Sequence, residues 1–242
     1  GYYIYPPEIT KVAKTGVMGG WAHDIVESMG KELGLKVEWA EEITLDAIYE
    51  GVDSGRFDAL CSTLWESPQR SKHVLFTQNV GYPTYYPFVR AGDTRFDNDL
   101  SLINNPNIKV AVIDGEYGKV VADELYPHAT QVALPRGTQY DLIFQEVVTG
   151  KADVVFGVPQ TGLGFIKANP GIMRMVNKEV VLMPASVMML QKDELKLKVL
   201  IDSTLRHLIN RGVVEQIFTK YGLNDGYSTY PAAKPYISPV GK

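Results

Sequence analysis

The stretch that decides the fold reads Phe57-Asp58-Ala59-Leu60-Cys61-Ser62-Thr63-Leu64-Trp65-Glu66-Ser67-Pro68-Gln69-Arg70. Its apolar first part, residues 57–61, predicts a buried strand, and Ser67-Pro68 predicts the start of a helix with Arg70 in its first turn. Ligands bind beyond the ends of strands in open α/β sheets. A guanidinium there can hold a carboxylate through two parallel hydrogen bonds, so Arg70 is a candidate ligand contact. An ion pair between Arg70 and a neighbouring Asp or Glu is the alternative that spacing leaves open.

Helix and strand patterns alternate on both sides of this stretch. Apolar residues at helical spacing predict helices over residues 22–33, 45–52, 119–125, 140–148, 195–209 and 213–221. Alternating or continuous apolar runs predict strands over residues 35–39, 57–61, 109–113, 131–134 and 152–156, with a further β-like run over 179–189. This order predicts an α/β fold in which helices connect parallel strands.

An internal echo favours two lobes over one long sheet. Residues 52–60 and 147–155 share the end of a helix, a glycine, a basic residue, an Asp and an apolar strand. Between the two copies, residues 82–89 contain two prolines and are extended by composition. We interpret residues 82–89 as a crossover between lobes.

The composition limits the function classes. The 242 residues are 45% hydrophobic and 21% charged, and no apolar run approaches the roughly 20 residues that span a bilayer. Because 24 Lys and Arg stand against 28 Asp and Glu without a basic cluster, we expect no nucleic-acid partner. The chain begins at Gly1 without an export signal, which is expected of a processed chain. The single cysteine, Cys61, is expected to be a buried thiol.

A search for enzyme motifs is negative. The sequence holds no G-x-S-x-G, P-loop, G-x-G-x-x-G or H-E-x-x-H motif, and its four histidines stand far apart. The acidic pair Glu41-Glu42 precedes a predicted helix, where carboxylates favour the positive end of the helix dipole. We therefore expect no metal, no cofactor and no catalytic residue.

The deciding stretch resembles a known family signature. Asp58-Ala59, Ser62-Thr63, the run over 67–70 and Val74-Leu75-Phe76-Thr77 are similar, in order and spacing, to family 3 extracellular solute-binding proteins, the polar amino-acid receptors of ABC importers. The resemblance covers residues 1 to about 222. It continues through Tyr5-Pro6-Pro7 and through residues 20–25, 45–48, 110–115, 150–153 and 213–217.

The resemblance implies a type II periplasmic binding protein: two lobes, each with a mostly parallel sheet flanked by helices, joined by a two-strand hinge near residues 86–90 and 187–191. Lobe 1 is expected over 1–88 plus 188–242, with an extended C-terminal tail over 223–242, and lobe 2 over 89–187. A small-molecule ligand would be held between lobes that close on it. The implied partners are the membrane subunits of an ABC transporter. The resemblance also implies that this chain is a monomer in the periplasm or outside the cell.

The resemblance also assigns site residues. In the family, the position of Arg70 holds the ligand carboxylate, and that of Thr63 adds a hydrogen bond. Tyr5 matches a ring that stacks on the ligand, and Leu45 matches a side-chain pocket.

Three departures from the family pattern change the expected ligand. Trp65 stands where a hydroxyl is common, Glu116 and Tyr117 stand where a hydroxyl turn is common, and Val158 stands where an Asp binds the ligand ammonium. A buried ammonium without a carboxylate is unfavourable, so an ordinary α-amino acid is a poor fit.

The aromatic residues suggest what would fit instead. If Tyr2 or Tyr3 joins Tyr5, Trp65 and Tyr117, these rings and the Arg70 cation suit an aromatic carboxylate or a quaternary ammonium carboxylate. Core or rim packing of the rings is the alternative.

Three functions compete on the sequence. The first is a binding protein that delivers a carboxylate-bearing solute to an importer and catalyses no reaction. The second is a ligand-sensing domain of a receptor or kinase. The third is an enzyme on the same scaffold, for which Glu66 and Glu116 are the acid or base candidates.

Overall fold

The computed structural model describes residues 1–44, 47–68, 70–176, 179–226 and 228–232. Its helices are α1 (Trp21–Leu33), α2 (Ile48–Asp53), α3 (Tyr117–Leu125), α4 (Tyr140–Val148), α5 (Pro159–Ala168), α6 (Leu195–Asn210) and α7 (Val213–Lys220). Its strands are β1 (Thr10–Lys11), β2 (Met18–Gly19), β3 (Ala59–Trp65), β4 (Val74–Phe76), β5 (Gly81–Pro83), β6 (Tyr86–Arg90), β7 (Lys109–Ile113), β8 (Thr130–Leu134), β9 (Val154–Gly157), β10 (Met173–Met175), β11 (Ser186–Gln191) and β12 (Thr229–Pro231). Helices and strands mix throughout, so the α/β class is confirmed.

The chain divides into two compact units. Unit 1 comprises Gly1–Tyr82 and Pro184–Lys242, and unit 2 comprises Pro83–Met183. The chain thus passes twice from one unit to the other. Strands β6 and β11, which the sequence placed at the two crossings, pair within the sheets of unit 2 and unit 1 respectively.

The sheet of unit 1 has the strand order β12-β5-β11-β3, and β4 also pairs with β11. Strand β11 runs antiparallel to β3, β4 and β5, which corrects the expectation of a mostly parallel sheet in this lobe. The parallel pairing seen in this unit is limited to short contacts made by the N-terminal residues. Gly1 bonds to Ala59 and Cys61 in the pattern of parallel strands, and Tyr2 forms a parallel bridge with Glu42, but these contacts are too short to make strands.

Helices α1, α6 and α7 cover one side of this sheet with a shared apolar core. Helix α1 buries Ile25, Val26 and Met29, which recur at helical spacing, and it ends at Gly34 in the left-handed conformation with φ 66°. The buried ring of Phe218 from α7 packs edge-on against Trp21 of α1, with ring centroids 5.3 Å apart. This packing holds the loop before α1 in place.

The sheet of unit 2 has the strand order β10-β6-β9-β7-β8. Strand β7 runs parallel to β8 and β9, whereas β6 runs antiparallel to β9 and β10. Because β7, β8 and β9 are parallel, their carboxyl ends lie at one edge of the sheet. The loops that begin at Asp114, Pro135 and Val158 leave from this edge, which we call the unit 2 edge.

The sequence similarity between residues 52–60 and 147–155 corresponds to a similarity in structure. In unit 1, α2 leads through Gly55 at φ 67° into β3, and in unit 2, α4 leads through Gly150 at φ 77° into β9. Both glycines adopt the left-handed conformation that ends a helix. The two halves therefore share a local helix, turn and strand arrangement.

The β-like run predicted over residues 179–189 forms a strand only from Ser186, and three further local features differ from the sequence analysis. Residues 35–39 form no strand, because Trp39 packs on Tyr2 and His23 without a partner strand. The predicted helix start at Ser67-Pro68 gives only a short 3-10 turn over Arg70–Lys72. Helix α5 was not predicted from the sequence.

Helix α5 yields a first testable prediction. A Cβ added at Gly162 would lie 2.2 Å from the Phe88 ring, which is fully buried. We expect Gly162→Ala to lower the free energy of unfolding by about 1 to 3 kcal/mol through overpacking, measured by urea denaturation. Gly164→Ala, on the same helix with open space around it, is the matched control and should be neutral or stabilising. Equal effects of both variants would contradict the packing argument.

Candidate functional site

In unit 1, Arg70 and Trp65 form one stacked pair. The Arg70 guanidinium carbon lies 3.9 Å from the centre of the Trp65 ring, and Nη1 donates a hydrogen bond of 2.9 Å to the Trp65 carbonyl oxygen. The ring and the carbonyl together fix the plane of the guanidinium. Two residues predicted for ligand binding are thus brought together at the end of β3.

Thr63 is the centre of a buried hydrogen-bond network in the same unit. Its carbonyl oxygen accepts from the Tyr3 hydroxyl at 2.6 Å, and its Oγ1 accepts from the Ser186 hydroxyl at 2.6 Å. Its backbone N–H donates to the carboxyl of Glu8. Tyr3 and Thr63, both predicted site residues, are therefore in direct contact.

Glu8 is a buried carboxyl that the sequence did not single out. Glu8 is only 6% exposed to solvent. Burial raises the pKa of Glu8 to about 8, and the hydrogen bonds from Thr63 lower it in part. Glu8 can therefore change its protonation state near neutral pH.

The other predicted residues of unit 1 have different surroundings. Tyr5 is half-buried, and its backbone pairs with Ile9. Tyr2 lies in the core, where its ring meets Trp39 edge-on with centroids 5.8 Å apart, so of the two N-terminal tyrosines only Tyr3 joins the Thr63 network. Leu45 lies outside the described residues.

In unit 2, Glu116 and Tyr117 lie at the unit 2 edge, where β7 leads into α3. The Glu116 Oε2 accepts a hydrogen bond of 2.8 Å from the Tyr140 hydroxyl. The Tyr117 ring lies 5.0 Å from that of Tyr85, and burial raises the pKa of the Tyr117 hydroxyl. This loop carries the Glu116 carboxylate and the Tyr117 ring, which packs against Tyr85.

Val158 lies at the same edge, at the N-cap of α5. Its side chain is buried in the apolar cluster that also contains Tyr85 and against which Tyr117 packs. The valine that the resemblance compares with an ammonium-binding Asp is thus a buried apolar residue in this structure.

Arg136 at the unit 2 edge was also not predicted. Its guanidinium covers Gly115, because a Cβ at Gly115 would lie 2.5 Å from the Arg136 Nε. Gly115 has φ 83°, so the turn favours glycine for its backbone conformation, whereas the exposed Arg136 side chain can move. Arg136 is therefore a cationic side chain at the unit 2 edge.

The sequence carried little signal for the residues that it missed. Ser186 and Thr63, which share a hydrogen bond, are 123 positions apart in the sequence, and Tyr140 and Glu116 are 24 positions apart. Only Glu8 had a local cue, because a charged residue follows Tyr5-Pro6-Pro7 directly and precedes the fully buried Ile9.

The described residues contain no cluster of three or more His, Cys, Asp or Glu that could hold a metal ion. No helix among them is long and apolar enough to span a bilayer. A polar surface cavity of about 330 Å³ in unit 1 is lined by Asp53, Lys72, His73, Gln191 and Lys192, none of which is a predicted site residue.

Comparison with known proteins places the chain in a family. The sequence model of the bacterial extracellular solute-binding proteins, family 3, matches residues 3–224. A curated relative, the "Probable amino-acid ABC transporter-binding protein" of Haemophilus influenzae, is 35% identical over 69 residues, which are 28% of this chain and 26% of that protein. The chain thus aligns with about a quarter of that relative's length.

Solved structures share the fold. A periplasmic His/Glu/Gln/Arg/opine family-binding protein from Silicibacter pomeroyi, in complex with lysine, matches with a TM-score of 0.75 and 21% identity, over 96% of this chain and 98% of that one. An ancestral amino acid-binding protein, described as a precursor of cyclohexadienyl dehydratase, matches with a TM-score of 0.74 and 24% identity, over 91% and 92%. The fold is that of type II periplasmic binding proteins, and the chain belongs to family 3 of the bacterial extracellular solute-binding proteins.

Proposed function

We propose that this chain is the binding subunit of an ABC importer. It captures a small carboxylate-bearing solute in the periplasm or outside the cell and passes it, chemically unchanged, to the membrane subunits. The observation that carries this proposal is the Arg70–Trp65 pair in a chain of the solute-binding family. A guanidinium whose plane is already fixed loses less side-chain entropy when it binds a planar carboxylate.

The proposed ligand is not a standard α-amino acid. Val158 removes the carboxylate that would compensate a ligand ammonium, and an uncompensated buried ammonium costs several kcal/mol in effective terms. Trp65 provides a ring in unit 1, and Tyr117 provides one in unit 2. An aromatic carboxylate would stack on such rings, and a betaine would gain cation–π attraction of about 0.5 to 2 kcal/mol per ring. Both ligand types carry the carboxylate that Arg70 requires.

A thermal-shift panel tests this ligand class. The panel contains phenylacetate, benzoate, glycine betaine, L-lysine and L-glutamine, because the Silicibacter pomeroyi relative was solved with lysine. A compound present at 100 times its dissociation constant stabilises the folded protein by about 2.7 kcal/mol. We expect clear shifts with an aromatic acid or the betaine. Shifts with the L-amino acids alone would overturn the proposed ligand class.

The variant Val158→Asp sharpens the test. Asp is a favourable N-cap residue, which offsets part of the cost of a carboxylate in the apolar cluster around Val158. It also introduces an ammonium acceptor. Urea denaturation first checks that the variant is folded. We expect the variant to gain binding of an L-amino acid that the wild-type protein does not bind. Val158→Ala is the matched control, because it removes the methyl groups without adding a charge, and it should gain no such binding.

A further inference from the structure

We propose that the Ser186 hydroxyl positions the Thr63 side chain for ligand binding and links it to the segments at which the chain passes between the two units. Ser186 is then a positioning residue, because it acts on the ligand through Thr63. The inference rests on the proposed function, in which the ligand carries a carboxylate, and on the ligand contact that the resemblance implies for Thr63. The resemblance assigned no role to Ser186.

The bond between Ser186 and Thr63 joins two buried hydroxyls. The Ser186 Oγ donates to the Thr63 Oγ1 at 2.6 Å, and both residues are buried. A hydroxyl has one proton to donate and two lone pairs that accept. Because Thr63 accepts from Ser186, it keeps its own proton. That proton can be donated to a ligand carboxylate in a charge-assisted hydrogen bond.

Regular strand pairing does not fix the Thr63 side chain. The pairing of β11 with β3 shifts register between Val187 and Met189, and Thr63 lies on β3 opposite this shift. Its N–H donates to the Glu8 carboxyl rather than to a neighbouring strand. Such an irregularity changes the direction in which a side chain points. The bond from Ser186 therefore restrains a side chain that the ladder leaves unrestrained.

Ser186 lies beside both segments at which the chain passes between the units. It stands two residues after Pro184, where the chain re-enters unit 1. Its backbone pairs with Gly81 of β5, the strand in which the chain first leaves unit 1, and its carbonyl oxygen accepts from the Val80 N–H at 2.8 Å. Ser186 thus contacts Thr63 through its side chain and these segments through its backbone.

This arrangement links ligand binding to the two segments. A carboxylate that accepts the Thr63 proton strengthens the bond that Thr63 accepts from Ser186, because hydrogen bonds in a chain polarise one another. A Ser186 side chain that is held more firmly restrains its own backbone, and with it the hydrogen bond from Val80. We expect a bound ligand to reduce local opening at this point of the sheet.

A double-mutant cycle on affinity tests the positioning role. Isothermal titration with phenylacetate and with glycine betaine should show about tenfold weaker binding in both Ser186→Ala and Thr63→Val. The double variant should bind no more weakly than Thr63→Val, because Ser186 acts only through the hydroxyl that is already absent. Ser186→Thr keeps a hydroxyl and should bind as wild type does. The matched control is Ser203→Ala, at an exposed serine on α6, which should also bind as wild type.

Two outcomes of the cycle would overturn the positioning role. The first is wild-type affinity in Ser186→Ala. The second is a double variant in which the two losses add, because a merely structural loss at Ser186 would persist without the Thr63 hydroxyl.

Hydrogen exchange measured by NMR tests the link to the two segments. The better-binding compound, at concentrations that saturate each protein, should slow exchange of the Val80 amide more in wild type than in Ser186→Ala. The Leu35 amide, which donates to Gly30 at the end of α1, is the internal reference and should not change. Equal slowing of the Val80 amide in both proteins would overturn the link.

Urea denaturation without ligand separates this inference from the proposed function. The losses of urea midpoint in Ser186→Ala and Thr63→Val should not add in the double variant, because both substitutions remove the same buried hydrogen bond. Additive losses would overturn the coupling of the two hydroxyls. If neither compound binds the wild-type protein, the proposed ligand class is wrong, and the urea result alone decides the coupling.

Discussion

Arg70→Ala lowers the affinity for the best-binding carboxylate of the panel by at least about 100-fold, the largest loss that we expect from one substitution. The variant removes charge-assisted hydrogen bonds to the carboxylate, and a 100-fold loss corresponds to about 2.7 kcal/mol. Arg70→Lys should lose about tenfold, because an ammonium keeps the charge but loses the planar fork and the stacking on Trp65. Isothermal titration calorimetry measures both losses.

Arg206→Ala is the control for this prediction. Arg206 is an exposed arginine on α6 in the same unit, so its removal changes the net charge equally. The control should bind as wild type. Unchanged affinity in Arg70→Ala would show that Arg70 is not the carboxylate contact.

The second large effect is on stability in the absence of ligand. The pKa of Glu8 is about 8 in the folded protein and near its ordinary value of 4.5 in the unfolded chain. Between these values the folded state holds a proton that the unfolded chain has released, so stability falls as pH rises, by about 1.4 kcal/mol per pH unit. We expect wild type to lose about 3 to 4 kcal/mol between pH 5 and pH 8 relative to Glu8→Gln, measured by urea denaturation.

The difference between the two proteins isolates Glu8. Asp24, Asp93 and Asp153 have lowered pKa values, so their contributions are lost only in acid, below this pH range. If the two stability curves run parallel from pH 5 to pH 8, Glu8 does not titrate there, and the neutral state assigned to it is absent.

The sequence predicted best those elements whose own residues determine them. The strand over Lys109–Ile113 and the helix over Tyr140–Val148 have the predicted bounds. The helix buries Ile143, Phe144 and Val147, and Gly150 follows it in the left-handed conformation that only glycine adopts readily. Local signals were sufficient there.

Helix α5 shows where local signals mislead. Two glycines in its middle and a proline at its start suggest a loop. Pro159 occupies the first helical turn, where its missing N–H costs nothing, and Gly162 is small because Phe88 packs against it. Tertiary packing therefore decides the helix, and no pattern within residues 159–168 shows it.

The site residues also divide into those with a local sequence signal and those placed by the whole fold. The sequence pointed to Trp65 and Arg70, which lie five positions apart and are in contact. It could not show that Ser186 returns to Thr63, or that Glu8 is buried, because burial and long-range pairing are set by the whole fold. The parts of the site that tune its electrostatics were thus the least predictable.

The central claim is that Arg70 holds the carboxylate of a solute bound by this chain. Native mass spectrometry tests it directly, with unfolded and refolded wild-type protein and Arg70→Ala each mixed with the panel compounds in equal amounts. We predict that wild type gains the mass of one aromatic acid or betaine and that Arg70→Ala gains none. Equal retention of the same carboxylate by both proteins, or no carboxylate bound by wild type, would contradict it.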